Sequence, residues 1–185
     1  MGIAHDAAAA VGKTLRSARA GTKKLTSRKL GLTNLPALIV ESPSFLADQA
    51  LPTSATREGE GIAPTITWSN VPPNARSFVL ICEDPDAPLP NPLLHWLVYG
   101  IPGTSIFLER SPSPLGREGR NSFQREGWTA AAPPIGHGLH HYHFQVFALD
   151  VGIDLKPGAG RSAVIDAMRG HIIAWGEIVG TYVRN

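Results

Sequence analysis

Sixteen prolines and nineteen glycines punctuate this 185-residue chain and leave few uninterrupted stretches for long helices. Proline withholds a backbone donor and glycine weakens the interior of any element, so the apolar runs between them must be short and joined by turns. Short β-prone runs bounded in this way are strands. Ala37-Leu38-Ile39-Val40 and Thr65-Ile66-Thr67-Trp68 are two of them. Ser77 to Glu83 (SFVLICE) is apolar on both faces, which predicts a central strand covered on both sides. His95 to Ile101 (HWLVYGI) predicts the next strand, closed by Pro102-Gly103, and His141 to Leu149 (HYHFQVFAL) another. Arg161 to Ala174 sets Val164, Ile165, Met168 and Ile172 on one helical face, with Ser162 as a candidate cap, and Gly176 to Val183 reads as a final strand. Residues 111–138 are poor in apolar runs and rich in Gly, Pro and Arg, so they read as a long ordered loop of the kind that carries function. Many strands with one late helix and no β-α-β alternation predict a mainly β fold, a two-sheet β-sandwich with a C-terminal helix and an extra N-terminal helix.

The ends of the chain differ in charge. Residues 1–30 hold Lys13, Arg16, Arg19, Lys23, Lys24, Arg28 and Lys29 against Asp6 alone, while the whole chain carries only +2. The body is therefore mildly acidic, and one appendage produces the basic isoelectric point, so nucleic acid is not an expected partner. We divide the chain into a basic helical extension (1–33) and one domain (34–185), large enough to bury a substantial core. Val11, Leu15 and Ala18 recur at i, i+4 and i+7, with Gly21 a natural end for the helix. Such a helix either lies on the body's own surface, rests on an anionic membrane, or packs on a partner subunit such as a second copy. It does not read as a secretory signal, because Lys13 and Arg16 follow a short apolar patch where a longer one and a cleavage site would stand. The single Cys82 has no partner for an internal disulfide and is expected as a buried strand residue, which fits a reducing cytoplasm.

The chemistry concentrates between residues 84 and 142. Asp84-Pro85-Asp86-Ala87-Pro88, His95-Trp96 and Pro133-Pro134-Ile135-Gly136-His137-Gly138-Leu139-His140-His141-Tyr142 bracket acids and imidazoles with turn formers. Strand alternation sends His140 and Tyr142 to one face and His141 and His143 to the other, puts Asp84 with Cys82, and puts His95 with Leu97 and Tyr99. His137, His141 and His143 are expected at loops or surfaces, His171 in the helix, and Trp96 in the core. A metal site is not expected: alternation separates the clustered histidines and no Cys pair completes one. Neither Ser122 nor Ser162 lies in a nucleophile elbow, and no HEXXH motif occurs, so hydrolysis is not indicated and no cofactor is called for.

These segments, in this order, resemble the phosphatidylethanolamine-binding protein family, also called Raf-kinase-inhibitor-like. Its signatures are D-P-D-x-P and P-P-x-G-x-G-x-H-x-Y. The resemblance covers roughly residues 36–183 and implies a β-sandwich of that type, with a small pocket for an anion or a phosphorylated head group. Asp84, His95, His140 and Tyr142 match its pocket residues, Asp86 its second motif acid, and Pro134 and Gly136 its pocket-wall loop. Histidine N–H groups, a tyrosine hydroxyl and backbone amides of a Gly-rich loop suit phosphate or carboxylate. Asp84 suits a histidine partner, or the ammonium end of a zwitterion such as phosphorylethanolamine. Gly127-Trp128-Thr129-Ala130-Ala131-Ala132 departs from the bacterial G-Y-x-G-P-C and predicts a tighter, more apolar rim. Gly119-Arg120-Asn121-Ser122-Phe123 fits the bacterial loop, so the eukaryotic kinase-inhibitor role does not carry across. The implied function is non-enzymatic binding. The alternative is an interaction protein whose N-terminal helix makes the functional contact.

Overall fold

The computed structural model describes residues 2–184 and contains two antiparallel sheets. The larger is built from β3 (Ser77–Asp84), β4 (Leu93–Pro102), β6 (Arg117–Glu118), β7 (His140–Leu149) and β8 (Ile172–Tyr182), in the order β6-β4-β3-β7-β8. The smaller is β1 (Ile39–Glu41), β2 (Ile66–Ser69) and β5 (Phe107–Leu108), in the order β1-β2-β5. β3 is the central strand and is buried throughout, as a run apolar on both faces requires.

The large sheet has a core on each face. On one, Phe78, Leu80, Cys82, Trp96 and Phe144 meet Val40, Ile66, Trp68 and Leu108 of the small sheet. On the other, Val79, Ile81, Leu97 and Phe147 pack on Val164 and Met168 of α3 (Arg161–Met168). Each fully buried side chain of this kind stabilises by roughly 1.5–3 kcal/mol, so both cores hold the end of the sheet where the chemistry sits. The segment 111–138 is the predicted loop, interrupted only by the two residues of β6.

The late helix is shorter than its apolar pattern suggests. It ends at Met168, Gly170 follows at φ 78°, and Ile172 already pairs with Leu149 at the start of β8. A run of alternating burial can satisfy a helical template for a few residues, and sheet pairing takes it here. Gly160, not Ser162, occupies the cap position.

The N-terminal helix α1 spans Gly2–Thr14 and also stops earlier than expected. Its apolar stripe is not the packed face: Val11 is 59% exposed and Leu15 37%. Gly12 is the buried contact, and a Cβ there would lie 1.9 Å from the Ile135 carbonyl oxygen. The helix therefore approaches through its smallest residues, because only they let two backbones come this close. Residues 15–21 continue as a strap. Ala20 and Gly21 N–H groups donate to the carbonyls of Ala87 and Pro85 at 3.1 and 2.9 Å. Gly21, at φ 90°, opens a short 3-10 turn (Thr22–Lys24) and does not end a helix. Next, α2 (Thr26–Lys29) anchors the segment: Leu25 is fully buried, Thr26 N–H donates to Glu83 at 2.7 Å, and Ser27 N–H donates to Gln145 at 2.9 Å. The extension thus lies on the body's own surface, and several of its cations are engaged there. Arg19 pairs with Asp86, Arg28 with Glu177 at 2.7 Å, and Lys24 donates to the Pro90 carbonyl. Among the described residues, no helix is long and apolar enough to cross a membrane.

Candidate functional site

Antiparallel pairing brings the C-terminal end of β3 beside the N-terminal ends of β4 and β7, since Asp84 is opposite Leu93 and Glu83 is opposite His143. At this end of the sheet lies a cavity of about 590 Å³. Asp84, His95, His140, Tyr142 and Pro134 all line it.

His95 reaches the cavity by a route that strict alternation does not give. The register between β3 and β4 slips between Cys82 and Glu83, so that Cys82 faces Trp96 while Glu83 faces Leu94. This bulge leaves His95 without a ladder partner and turns it away from the face of Leu97 and Tyr99. Its ring packs instead on Trp128 and Tyr142, at centroid distances of 5.6 and 5.1 Å.

Hydrogen bonds fix the chemistry of each ring. His95 Nδ1 lies 2.7 Å from the Thr129 carbonyl oxygen, which can only accept, so the ring proton is on Nδ1. The buried Nε2 of neutral His95 is then a lone pair without a partner. Burial first, opposed by Asp84 and the Thr129 carbonyl, lowers the pKa of His95 and keeps that ring neutral. The Tyr142 hydroxyl is also buried without a partner, and burial, reinforced by Asp84, pushes its pKa upward and holds it as a phenol. The cavity floor therefore offers one donor and one acceptor side by side.

His140 is occupied at both nitrogens. Nδ1 lies 2.7 Å from Asp84 Oδ2, and Nε2 lies 2.8 Å from His137 Nδ1. Asp84 Oδ1 in turn accepts the Asp86 N–H at 2.8 Å. His137 is fully buried, contrary to the loop or surface position expected of it. Its Nε2 donates to the Leu15 carbonyl at 2.7 Å. Residue alternation carries no signal for His137, because it precedes β7. Its flanking glycines do carry one: Gly136 and Gly138 stand at φ 76° and 108°, and that paired left-handed turn drives the intervening imidazole inward.

Asp86 and Gly136 lie beside the cavity and not in its lining. Asp86 binds Arg19 and accepts from the N–H and ring of His141 at 2.8 and 2.7 Å. Burial raises its pKa, but the His141 and Arg19 hydrogen bonds outweigh burial and leave it lowered. The Gly136 carbonyl accepts from Arg16 Nε at 3.3 Å. His143 faces Glu177, and His171 lies past the end of α3, paired with Asp150 at 3.0 Å. Trp96 is core, and Cys82 is buried with a thiol pKa pushed up by burial. The altered loop supplies Thr129, Ala130 and Ala132 to the wall. Sequence reasoning missed Leu89, Leu93 and two charged lining residues, Arg57 and Arg125, whose exposed side chains stand at the mouth and form no ion pair among the described residues. No group of three or more His, Cys, Asp or Glu side chains among the described residues is arranged to hold a metal ion.

The sequence profile of the phosphatidylethanolamine-binding protein family matches residues 41–183. A UPF0098 protein of Aquifex aeolicus is 43% identical over 152 residues, spanning 79% of this chain and 88% of that one. Two solved structures share the fold. One, CT736 of Chlamydia trachomatis, is described as a homologue of the same family; it is 33% identical with a TM-score of 0.76, over 80% of this chain and 99% of that one. The other, YbcL of Escherichia coli, is described as a member of the mammalian family; it is 31% identical with a TM-score of 0.74, over the same shares.

Proposed function

We propose, from the premise that this chain belongs to the phosphatidylethanolamine-binding protein family, that it is a non-enzymatic binding protein whose cavity takes a small phosphorylated ligand, with a regulatory role. The observation that carries the reading is the pair of unpartnered polar atoms on the cavity floor, His95 Nε2 and Tyr142 Oη. A buried polar group without a partner costs about 1–3 kcal/mol, which a ligand recovers by supplying the missing hydrogen bonds. A monoprotonated phosphate fits both: its P–OH donates to His95 Nε2 and another oxygen accepts from Tyr142. Arg57 and Arg125 at the mouth attract the remaining charge. Catalysis finds no support in the lining. The Tyr142 hydroxyl is held as a phenol by burial, and the Thr129 hydroxyl already accepts from Asn121 at 2.7 Å. The buried, unpaired Cys82 supports a cytoplasmic setting.

The test is a titration of the histidine ring resonances with inorganic phosphate and with phosphorylethanolamine, in wild type and Tyr142→Phe. Saturable shifts at His95 that weaken in the variant support the reading. Unmoved resonances at millimolar ligand overturn it. Preference for phosphorylethanolamine over phosphate assigns the head group, and equal affinity assigns a plain phosphoryl site. A second reading rests on α1 and the start of the strap, where Val11 and Leu15 stay exposed beside Lys13: this segment contacts a second copy or an anionic membrane.

A further inference from the structure

Leu15, His137, His140 and Asp84 form one unbroken hydrogen-bonded line from the N-terminal strap to the cavity floor, with spacings of 2.7, 2.8 and 2.7 Å. A hydrogen must sit in each of the three gaps. The Leu15 carbonyl can only accept, so the first belongs to His137 Nε2. The second lies between the two rings, and the third between His140 and the carboxyl of Asp84. Wherever the last two reside, the two imidazoles and the carboxyl hold three protons and no net charge. Two neutral imidazoles and an ionised Asp84 hold only two. The intact line therefore contains one proton more, and without it two nitrogen lone pairs face each other at 2.8 Å, or the Leu15 carbonyl loses its donor, or a His140 Nδ1 lone pair faces the Asp84 carboxylate at 2.7 Å.

We propose that this line is a proton-dependent latch that holds the N-terminal strap beside the binding site. With the extra proton it holds Leu15 to His137 and occupies both nitrogens of His140. Its loss empties the gap at Leu15 and releases the strap from the Pro85–Ala87 turn, of which Ala87 lines the cavity. The latch regulates the site assigned above and rests on that reading for its consequence, although its closure needs no ligand. The sign follows from linkage: closure takes up a proton, so the closed strap is favoured at lower pH and opens as pH rises.

The charged and titratable surroundings are unevenly placed. The N-terminal segment brings Lys13 near Gly136 and both Arg16 and Arg19 near Gly138. The turn after β3 brings Asp86; β7 brings His141 and Tyr142; β4 brings His95, which feels the charge of His140; β3 brings Cys82, which feels Asp84. Arg184 completes the set, its backbone carbonyl accepting from Gly136 N–H. The strap's cations disfavour an added proton, whereas Asp84 and Asp86 favour it. Among the described residues, His141 is the other imidazole tied to a strap contact, through Asp86 and Arg19, and needs its own control.

Amide hydrogen exchange of the full-length protein without ligand reads the latch directly. The reporters are Ala20 and Gly21, whose N–H groups hold the strap to Ala87 and Pro85. After correction for intrinsic exchange, their protection should fall by up to about tenfold per pH unit across part of the range from about 5 to about 9, the slope of one linked proton. The fall should vanish in His137→Gln and persist in His141→Gln, with Leu80 in the core as the folding control. Protection independent of pH in wild type, or an unchanged fall in His137→Gln, overturns the latch. Should His137→Gln fail to fold, the ring ¹⁵N spectrum of wild type decides. Ring hydrogens filling all three gaps while the strap is protected support the proposal, and an empty gap refutes it. Because no ligand enters either measurement, failure here leaves the phosphate titration standing, and the reverse holds too.

Discussion

Tyr142 carries a buried hydroxyl that the fold leaves without a partner, so its worth must lie outside the folding equilibrium. Tyr142→Phe should leave the urea midpoint unchanged or slightly raised, since removing an unsatisfied polar group relieves a desolvation cost. The same change should weaken phosphate about tenfold or more, the loss of one hydrogen bond to a charged ligand at about 1.5–3 kcal/mol. Calorimetry and a denaturation curve on one preparation separate the two effects. His95 adds a sign. Its Nδ1 is committed to Thr129 and its pKa is lowered by burial, so the proton between ring and ligand comes from the ligand. A phosphomonoester loses that proton near pH 6. Affinity should therefore decline as pH rises above about 6, read by calorimetry at matched ionic strength, and affinity increasing with pH contradicts the donor–acceptor floor. Asp84, His95, His140 and Tyr142, which all line the cavity, were legible as residues because they stand in motifs that resemble the family's signatures. The tautomer of His95 was not, because it depends on a carbonyl 34 positions away.

Among elements, the strands were easier to read than the helices. β3 announces itself as a short run apolar on both faces, and β7 begins with alternating burial, whereas the ends of α1 and α3 are set by contacts between distant segments. Gly12 is the clearest case: it looks like a weak spot in a helix and is in fact the point where α1 meets the Ile135 carbonyl. Gly12→Ala raises intrinsic helix propensity by about 1 kcal/mol, yet it should loosen α1 from the body. Exchange of the α1 amides should speed up while the β3 amides stay protected. α2 is held differently. Glu83 is fully buried and accepts from Thr26, from Gln145 at 2.8 Å and from Arg161 at 2.6 Å. Glu83→Ala strands those donors, and the urea midpoint should fall by an amount equivalent to about 3 kcal/mol. Asp86 limits the strap on the acid side. Its lowered folded pKa means that its stabilisation is present above the unfolded value of about 3.9 and is lost as pH falls below it.

At the scale of the molecule, the charge asymmetry seen in the sequence becomes a packing relation. A basic segment lies on a mildly acidic body, and Arg19 and Arg28 reach acids more than sixty residues away in the chain. The sandwich itself follows from short strands between prolines and glycines; the path of the extension does not, because a segment with few buried side chains leaves little trace in hydrophobic pattern. From residue 6 to 21 only Gly12 and Ala20 are buried, while Leu25, Thr26 and Ser27 beyond them are locked into the body. Deleting residues 1–21 should therefore cost only about 1 kcal/mol in a urea melt, the range of an ordinary surface change. It should leave phosphate affinity intact, because no residue of the deleted segment lines the cavity. If α1 is instead the working surface, the truncated chain will keep its phosphate affinity while sedimentation shows a smaller assembly, or vesicle flotation loses the protein. Unchanged sedimentation and flotation, together with equal phosphate binding, place the function in the cavity and not in the extension.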